Sequence, residues 1–193
     1  MRSKKFIRNT GPYLLALICA FLVTCGHEAA VGEGVICNET YALCTSAPCI
    51  PDPNNPAKAI CSCDVENGIS FGKKTCSKRR AYEDSYGIKH LVSTYSFAQY
   101  KEKKTMWCPD GTPWTYCLDM PCTVDPKDPT KAICSCDIKR EGKFLTLGGD
   151  CDTSTCETAY WSGAPGADTQ AAMGVLTKAL GLDNFPENYC PDK

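Results

Sequence analysis

The sequence predicts a small, disulfide-rich, mostly β protein: two tandem six-cysteine β-hairpin modules followed by a C-terminal helix. Three observations lead there. The 193-residue chain carries 16 cysteines, and most fall into two similarly spaced sets. The chain also opens with the pattern of an export signal. Export sends the cysteines to an oxidising compartment, where disulfides form and persist.

Residues 1–25 form the expected signal peptide. Arg2, Lys4, Lys5 and Arg8 precede an apolar run from Tyr13 to Val23, and no acid occurs before Glu28. A basic flank, a short apolar core and then small residues mark secretion, and the run falls short of the roughly 20 residues a membrane-spanning helix needs. Leu22-Val23-Thr24-Cys25-Gly26 resembles the lipobox of bacterial lipoproteins, whose cysteine is lipidated. The resemblance makes Cys25 a candidate lipidation site and implies membrane contact through a lipid anchor only. Thr24 stands where that motif carries Gly, Ala or Ser, and plain cleavage near Cys25 or Gly26 is the alternative. Either route gives a periplasmic, cell-surface or secreted protein.

Loss of the signal removes four basic side chains and no acids, leaving 17 basic and 22 acidic residues and a net charge of −5. A nucleic-acid binder carries a strong positive excess, so that class of partner is not expected. After a short linker, 26–36, the first repeat spans 37–76, with cysteines at 37, 44, 49, 61, 63 and 76. A basic inter-repeat segment, 77–107, follows. The second repeat spans 108–151, with cysteines at 108, 117, 122, 134, 136 and 151. Cys44–Asp64 aligns without gaps on Cys117–Asp137, and 13 of the 21 positions are identical, far beyond coincidence.

Each aligned block reads as a hairpin. Asp52-Pro53 and Asp125-Pro126 favour turn initiation. Pro56 and Pro129 are expected to keep the loop irregular. Lys58–Cys63 and Lys131–Cys136 have the length of a strand, and alternation puts both cysteines of each Cys-x-Cys pair on one face. A turn centred near Asn55 predicts a nested ladder of bonds: Cys49–Cys61, Cys44–Cys63 and Cys37–Cys76. The second block repeats it as Cys122–Cys134, Cys117–Cys136 and Cys108–Cys151, which leaves Cys156–Cys190. The competing pattern exchanges the partners of Cys61 and Cys63. The second repeat has two extra residues between its first and second cysteines and two between its fifth and sixth. Matched even insertions preserve antiparallel register, so the outer arms should pair.

The remaining elements are a strand at His90–Phe97 and, within the C-terminal segment 152–193, a helix at 167–180. Asp168 is a candidate cap, Ala172, Leu176, Ala179 and Leu180 form an apolar stripe, and Gly181 closes the helix. Lys73–Lys104 is net +6 between acidic stretches. Such a run faces water, binds its own modules, or contacts anionic envelope material.

No constellation for catalysis, cofactor or metal is expected. His27 lies at the cleavage site, which leaves His90 without a triad. There is no Cys-x-x-Cys and no phosphate-binding loop. Cys61/Cys63 and Cys134/Cys136 could hold a soft metal only as thiolates. Trp107, Trp114, Tyr116, Tyr160 and Trp161 divide between core packing and a contact surface. Asn38-Glu39-Thr40 is a glycosylation sequon. The function expected is that of a non-catalytic binding or envelope-associated protein, with protein or an envelope surface as partner. The alternatives are an extracellular protease inhibitor presenting Lys58 and Lys131 on stiff loops and, third, a thiolate metal binder.

Overall fold

The hairpin of the first cysteine-rich block sets the pattern for the rest of the molecule. In the computed structural model, which describes residues 34–100, 104–148, 151–184 and 189–190, it consists of β1 (Val35–Leu43), β2 (Cys49–Asp52) and the long β3 (Asn55–Gly72). The signal segment, Cys25 and His27 lie outside the described residues. β1 pairs antiparallel with the far half of β3, from Val35↔Gly72 to Leu43↔Asp64, and β2 pairs with its near half through Cys49↔Cys61. The turn is tighter than the sequence predicts. It occupies Pro53 and Asn54 alone, because a register shift at Pro51/Asp52 lets Asp52 face Asn55. The Asp52 carboxylate accepts the Asn54 N–H and closes the turn. Pro56 therefore sits at the start of β3, where irregular loop was expected.

The chain continues through α1 (Cys76–Arg79), β4 (Tyr82–Glu83), β5 (Lys89–Ser96) and a 3-10 turn at Phe97–Tyr100. The second block gives β6 (Lys104–Cys108), β7 (Trp114–Tyr116), β8 (Pro121–Val124), β9 (Lys131–Lys139) and β10 (Phe144–Gly148). Then come α2 (Ser154–Glu157), β11 (Ser162–Gly163) and α3 (Gly166–Leu180), which ends at Gly181 in the left-handed conformation with φ 64°. The fold is small, cysteine-rich and mostly β, with seven disulfides.

The two cysteine-rich blocks share one sheet. β3 and β9 run antiparallel with Cys61 opposite Cys134, the residue that aligns with it. The contacts across this pair are accordingly reciprocal. Lys58 bridges to Asp137 at 2.6 Å, and Lys131 bridges to Asp64. Pairings β3–β1, β1–β5, β5–β8, β8–β9 and β9–β3 close a ring. Packed at its centre are Ala42, Leu91 and Ala132 with eight cysteines, those of the bonds Cys44–Cys63, Cys49–Cys61, Cys117–Cys136 and Cys122–Cys134. A second cluster seats α3, through Ala172 and Leu176, on Phe71, Tyr95 and Leu118. A third gathers Met106, Trp114 and Phe144.

Cys37 is bonded to Cys76, so the first block carries three nested bonds. The outer bonds of the second block differ from the expected ladder: Cys108 is joined to Cys156 and Cys151 to Cys190, in place of Cys108–Cys151 and Cys156–Cys190. The cause lies in the arms. β3 runs unbroken for 18 residues, whereas its counterpart breaks at Gly142, φ 91°, into β9 and β10. β10 pairs with β6 in a separate two-stranded sheet that sets Cys108 opposite Phe144, not opposite Cys151. α2 then brings Cys156 to Cys108 with a Cα–Cα distance of 5.0 Å. Asp168 does not cap α3 either. It is the third residue of the helix, and its carboxylate accepts the Tyr116 hydroxyl and the Lys73 ammonium.

Candidate recognition surface

The sequence nominates Lys58 and Lys131 first. The structure places both inside strands β3 and β9 and not on loops, because the turns end before them. Each ammonium is engaged by an aspartate of the facing strand. A protease inhibitor needs its lysine projecting from the tip of a loop, and these lysines tie the two blocks together.

Among the described residues, the cystine centre brings potential metal ligands together. Cys44, Cys122 and Cys134 lie close together, as do Cys44, Cys117 and Cys136. The Cys44 and Cys134 sulfurs are 3.3 Å apart, and those of Cys117 and Cys61 are 3.6 Å apart. Every one of these sulfurs is in a disulfide, so none is a thiolate able to bind metal.

The basic segment is turned partly inward. Arg79 has no exposed surface; its guanidinium lies 3.3 Å from Glu39 and donates to the Val35 carbonyl. Burial, opposed by Glu39 and Asp119, lowers its pKa. The backbone N–H groups of Lys73 and Lys74 donate to Asp119, and the Lys73 ammonium reaches Asp168 at 2.6 Å. Gly72 lies beneath this network: a Cβ there would sit 2.2 Å from Arg79 Nη1 and 2.5 Å from Asp119 Oδ1. Burial pushes the Tyr95 and Tyr116 hydroxyls well above the ordinary phenol range, which keeps both neutral. These groups tie the inter-block segment to its own core.

The hairpin β4–β5 presents a different surface. Tyr82 pairs with His90 and Glu83 with Lys89. Asp84 organises the loop between them. Its Oδ1 accepts the N–H groups of Tyr86 at 2.9 Å and Ile88 at 3.0 Å, its carbonyl accepts the Gly87 N–H, and its Oδ2 lies 2.9 Å from His90 Nε2. The His90 bond, followed by the Ile88 amide, holds the Asp84 carboxyl below the usual carboxylate range. Gly87 supplies the positive φ, 77°, that the turn requires. The loop therefore holds Tyr86 outward, 87% exposed, with Tyr82, 61% exposed, stacked on the His90 ring and Ile88 also in solvent. An open apolar groove of about 380 Å³ adjoins it, lined by Tyr82, Leu91, Val65, Val124 and Pro129 among others. No family model, curated protein or solved structure matches this chain.

Among the other aromatics, Trp114 is buried against Phe144, and the Trp161 indole donates to Thr146. Trp107 is exposed beside Tyr189. Sequence reasoning missed the Asp84 hairpin. Its signal was present: Asp84 and Gly87 are the first and fourth residues of a favoured turn, immediately before the recognised strand.

Proposed function

We propose that this is an exported, disulfide-stabilised, non-catalytic binding protein that engages a protein or envelope surface through the β4–β5 hairpin. The observation that carries the reading is Tyr86 held in solvent by a loop whose amides converge on one carboxylate. A large apolar group costs free energy in water unless a contact covers it, and a loop already fixed in shape loses little entropy on binding. Tyrosine suits such a role because it offers wide contact area with few rotatable bonds. The tandem-repeat body, cross-linked at its centre, is the rigid support.

The test is affinity capture from the native compartment with the mature protein and with a Tyr82→Ser, Tyr86→Ser variant, alongside binding to anionic phospholipid vesicles. Both side chains are more than half exposed, so the variant should fold with an unchanged thermal midpoint. The wild type should retain a specific partner, or the vesicles, that the variant loses. Equal retention by both proteins would refute the hairpin as the contact.

A further inference from the structure

The reciprocal relation of the two blocks extends beyond the cysteines. β5 lies on the outer edge of β8, with His90↔Thr123, Leu91↔Cys122 and Val92↔Pro121 paired. It also runs parallel to β1 at Ala42↔Ser93 and Leu43↔Thr94. β11 does the same for the other block, running parallel to β7 at Ser162↔Thr115 and Gly163↔Tyr116, the aligned positions. The hydrogen bonds repeat as well. Ser93 N–H donates to Met120 O and Ser162 N–H to Ala47 O, while the Ser93 hydroxyl donates to Cys117 O and the Ser162 hydroxyl to Cys44 O. Ser162 thus occupies on the first block the place that Ser93 occupies on the second.

The correspondence stops one residue earlier in the chain. His90–Val92 continue along the edge of β8. The residues before Ser162 leave the edge of β2. Tyr160 adopts φ 64°, its N–H donates to Pro113 O, and Trp161 O accepts from Thr115. Among the described residues, no strand covers the edge of β2 that corresponds to the covered edge of β8. Ser62 N–H donates to Pro48 O, so Pro48 and Ile50 face β3 and the main-chain groups of Cys49 face outward. Among the described residues, the Cys49 N–H has no partner. Pro48, Ile50 and Pro51 are exposed there, Ile50 by 63%.

We infer that the outer edge of β2, Pro48–Pro51, is a strand-addition site for an extended segment of a partner polypeptide. The segment runs antiparallel to β2, exchanges two main-chain hydrogen bonds with Cys49 as Leu91 is placed to do with Cys122, and sets an apolar side chain beside Ile50. Proline blunts many sheet edges. Here Pro48 corresponds to Pro121, which accommodates β5, and Pro51 corresponds to Val124, which lies beyond the three paired positions. A second copy of this edge fits poorly: Pro51 has no N–H to offer, and Ala47 O already accepts Ser162 N–H. This surface is separate from the Tyr86 hairpin and does not depend on it.

The test uses full-length mature protein, labelled with nitrogen-15, and a synthetic peptide with this chain's own Gly87–Thr94 sequence as probe. Saturable shifts at the Cys49 and Ile50 amides and slowed exchange of the Cys49 N–H are expected at millimolar peptide. Ile50→Lys, at an exposed site, should weaken binding by up to roughly fivefold, the scale of one cross-strand pair, while Ile50→Thr, the counterpart residue, should retain it. Four results would overturn the site: no saturable binding, shifts confined to other residues, equal binding by Ile50→Lys, or a Cys49 N–H already protected in the free monomer by the chain's own covering. Protection that grows with protein concentration, together with a dimer in sedimentation, would assign the edge to a second copy and overturn the partner reading.

Discussion

Arg79 is the residue whose placement departs most from its sequence context. It lies in a run of basic side chains, Lys78-Arg79-Arg80, that would ordinarily face water, yet it is fully buried against Glu39. Removing one member of a buried ion pair leaves the other charge uncompensated in a poorly solvating site. Arg79→Ala should therefore destabilise the protein by about 3–5 kcal/mol, and combining it with Glu39→Gln should recover part of the loss. Urea unfolding at constant slope would measure both effects. A change below about 0.5 kcal/mol, the range of an ordinary surface substitution, would show that the pair does not stabilise the fold. Nothing local distinguishes Arg79 from its neighbours in the sequence, because its burial depends on β1 and Asp119, both distant in the chain.

Among the elements, the β4–β5 hairpin should respond to acid pH through Asp84. The folded protein holds the Asp84 carboxyl below the usual carboxylate range, chiefly through His90 and the Ile88 amide. A depressed value means that the folded loop prefers the ionised form. Its contribution is complete above the ordinary carboxylate pKa of about 3.9 and is lost as pH falls through the lower, folded value. The Tyr86 and Ile88 amide shifts should titrate together in acid, with a midpoint below about 3.9. Asp84→Asn should abolish that titration. A midpoint at or above the ordinary value would contradict the Asp84 network. α3 shows the limit of reading an element from its own sequence. Its span and its Gly181 terminus follow from periodicity and turn chemistry, whereas Asp168 looks like a cap and instead joins Lys73 and Tyr116. A capping residue and a buried tertiary ligand have the same local signature.

At the scale of the whole molecule, the cysteine spacing carries much of the information about the mostly β, disulfide-rich class. Alternation puts Cys61 and Cys63 on one face, and the tight Asp52–Asn55 turn brings Cys49 opposite Cys61. The outer bonds of the second block depend on where its long arm breaks, at Gly142, and spacing alone does not encode that break. Nor does the sequence of a strand state what lies on its second edge. The pairing of β3 with β9 left one trace: lysine and aspartate flank the Cys-x-Cys pair in both blocks, a pattern that becomes complementary only when the two strands run antiparallel. The open edge of β2 had no trace at all, since it emerges only by comparison with β5 on β8.

Both cysteine-rich blocks pair through β3 and β9 about the cystine centre, and they should therefore open as one cooperative body. Because Ser62 N–H faces β2, the amides of Cys61 and Cys63 face β9, and those of Cys134 and Cys136 face β3. Native-state hydrogen exchange at these four amides, with disulfides intact, measures whether they do. All four should exchange only through global opening, with one common free energy equal to that of denaturant unfolding. Exchange of the Cys61 and Cys63 amides at a free energy different from that of Cys134 and Cys136 would contradict it, because the two blocks would then open as separate units.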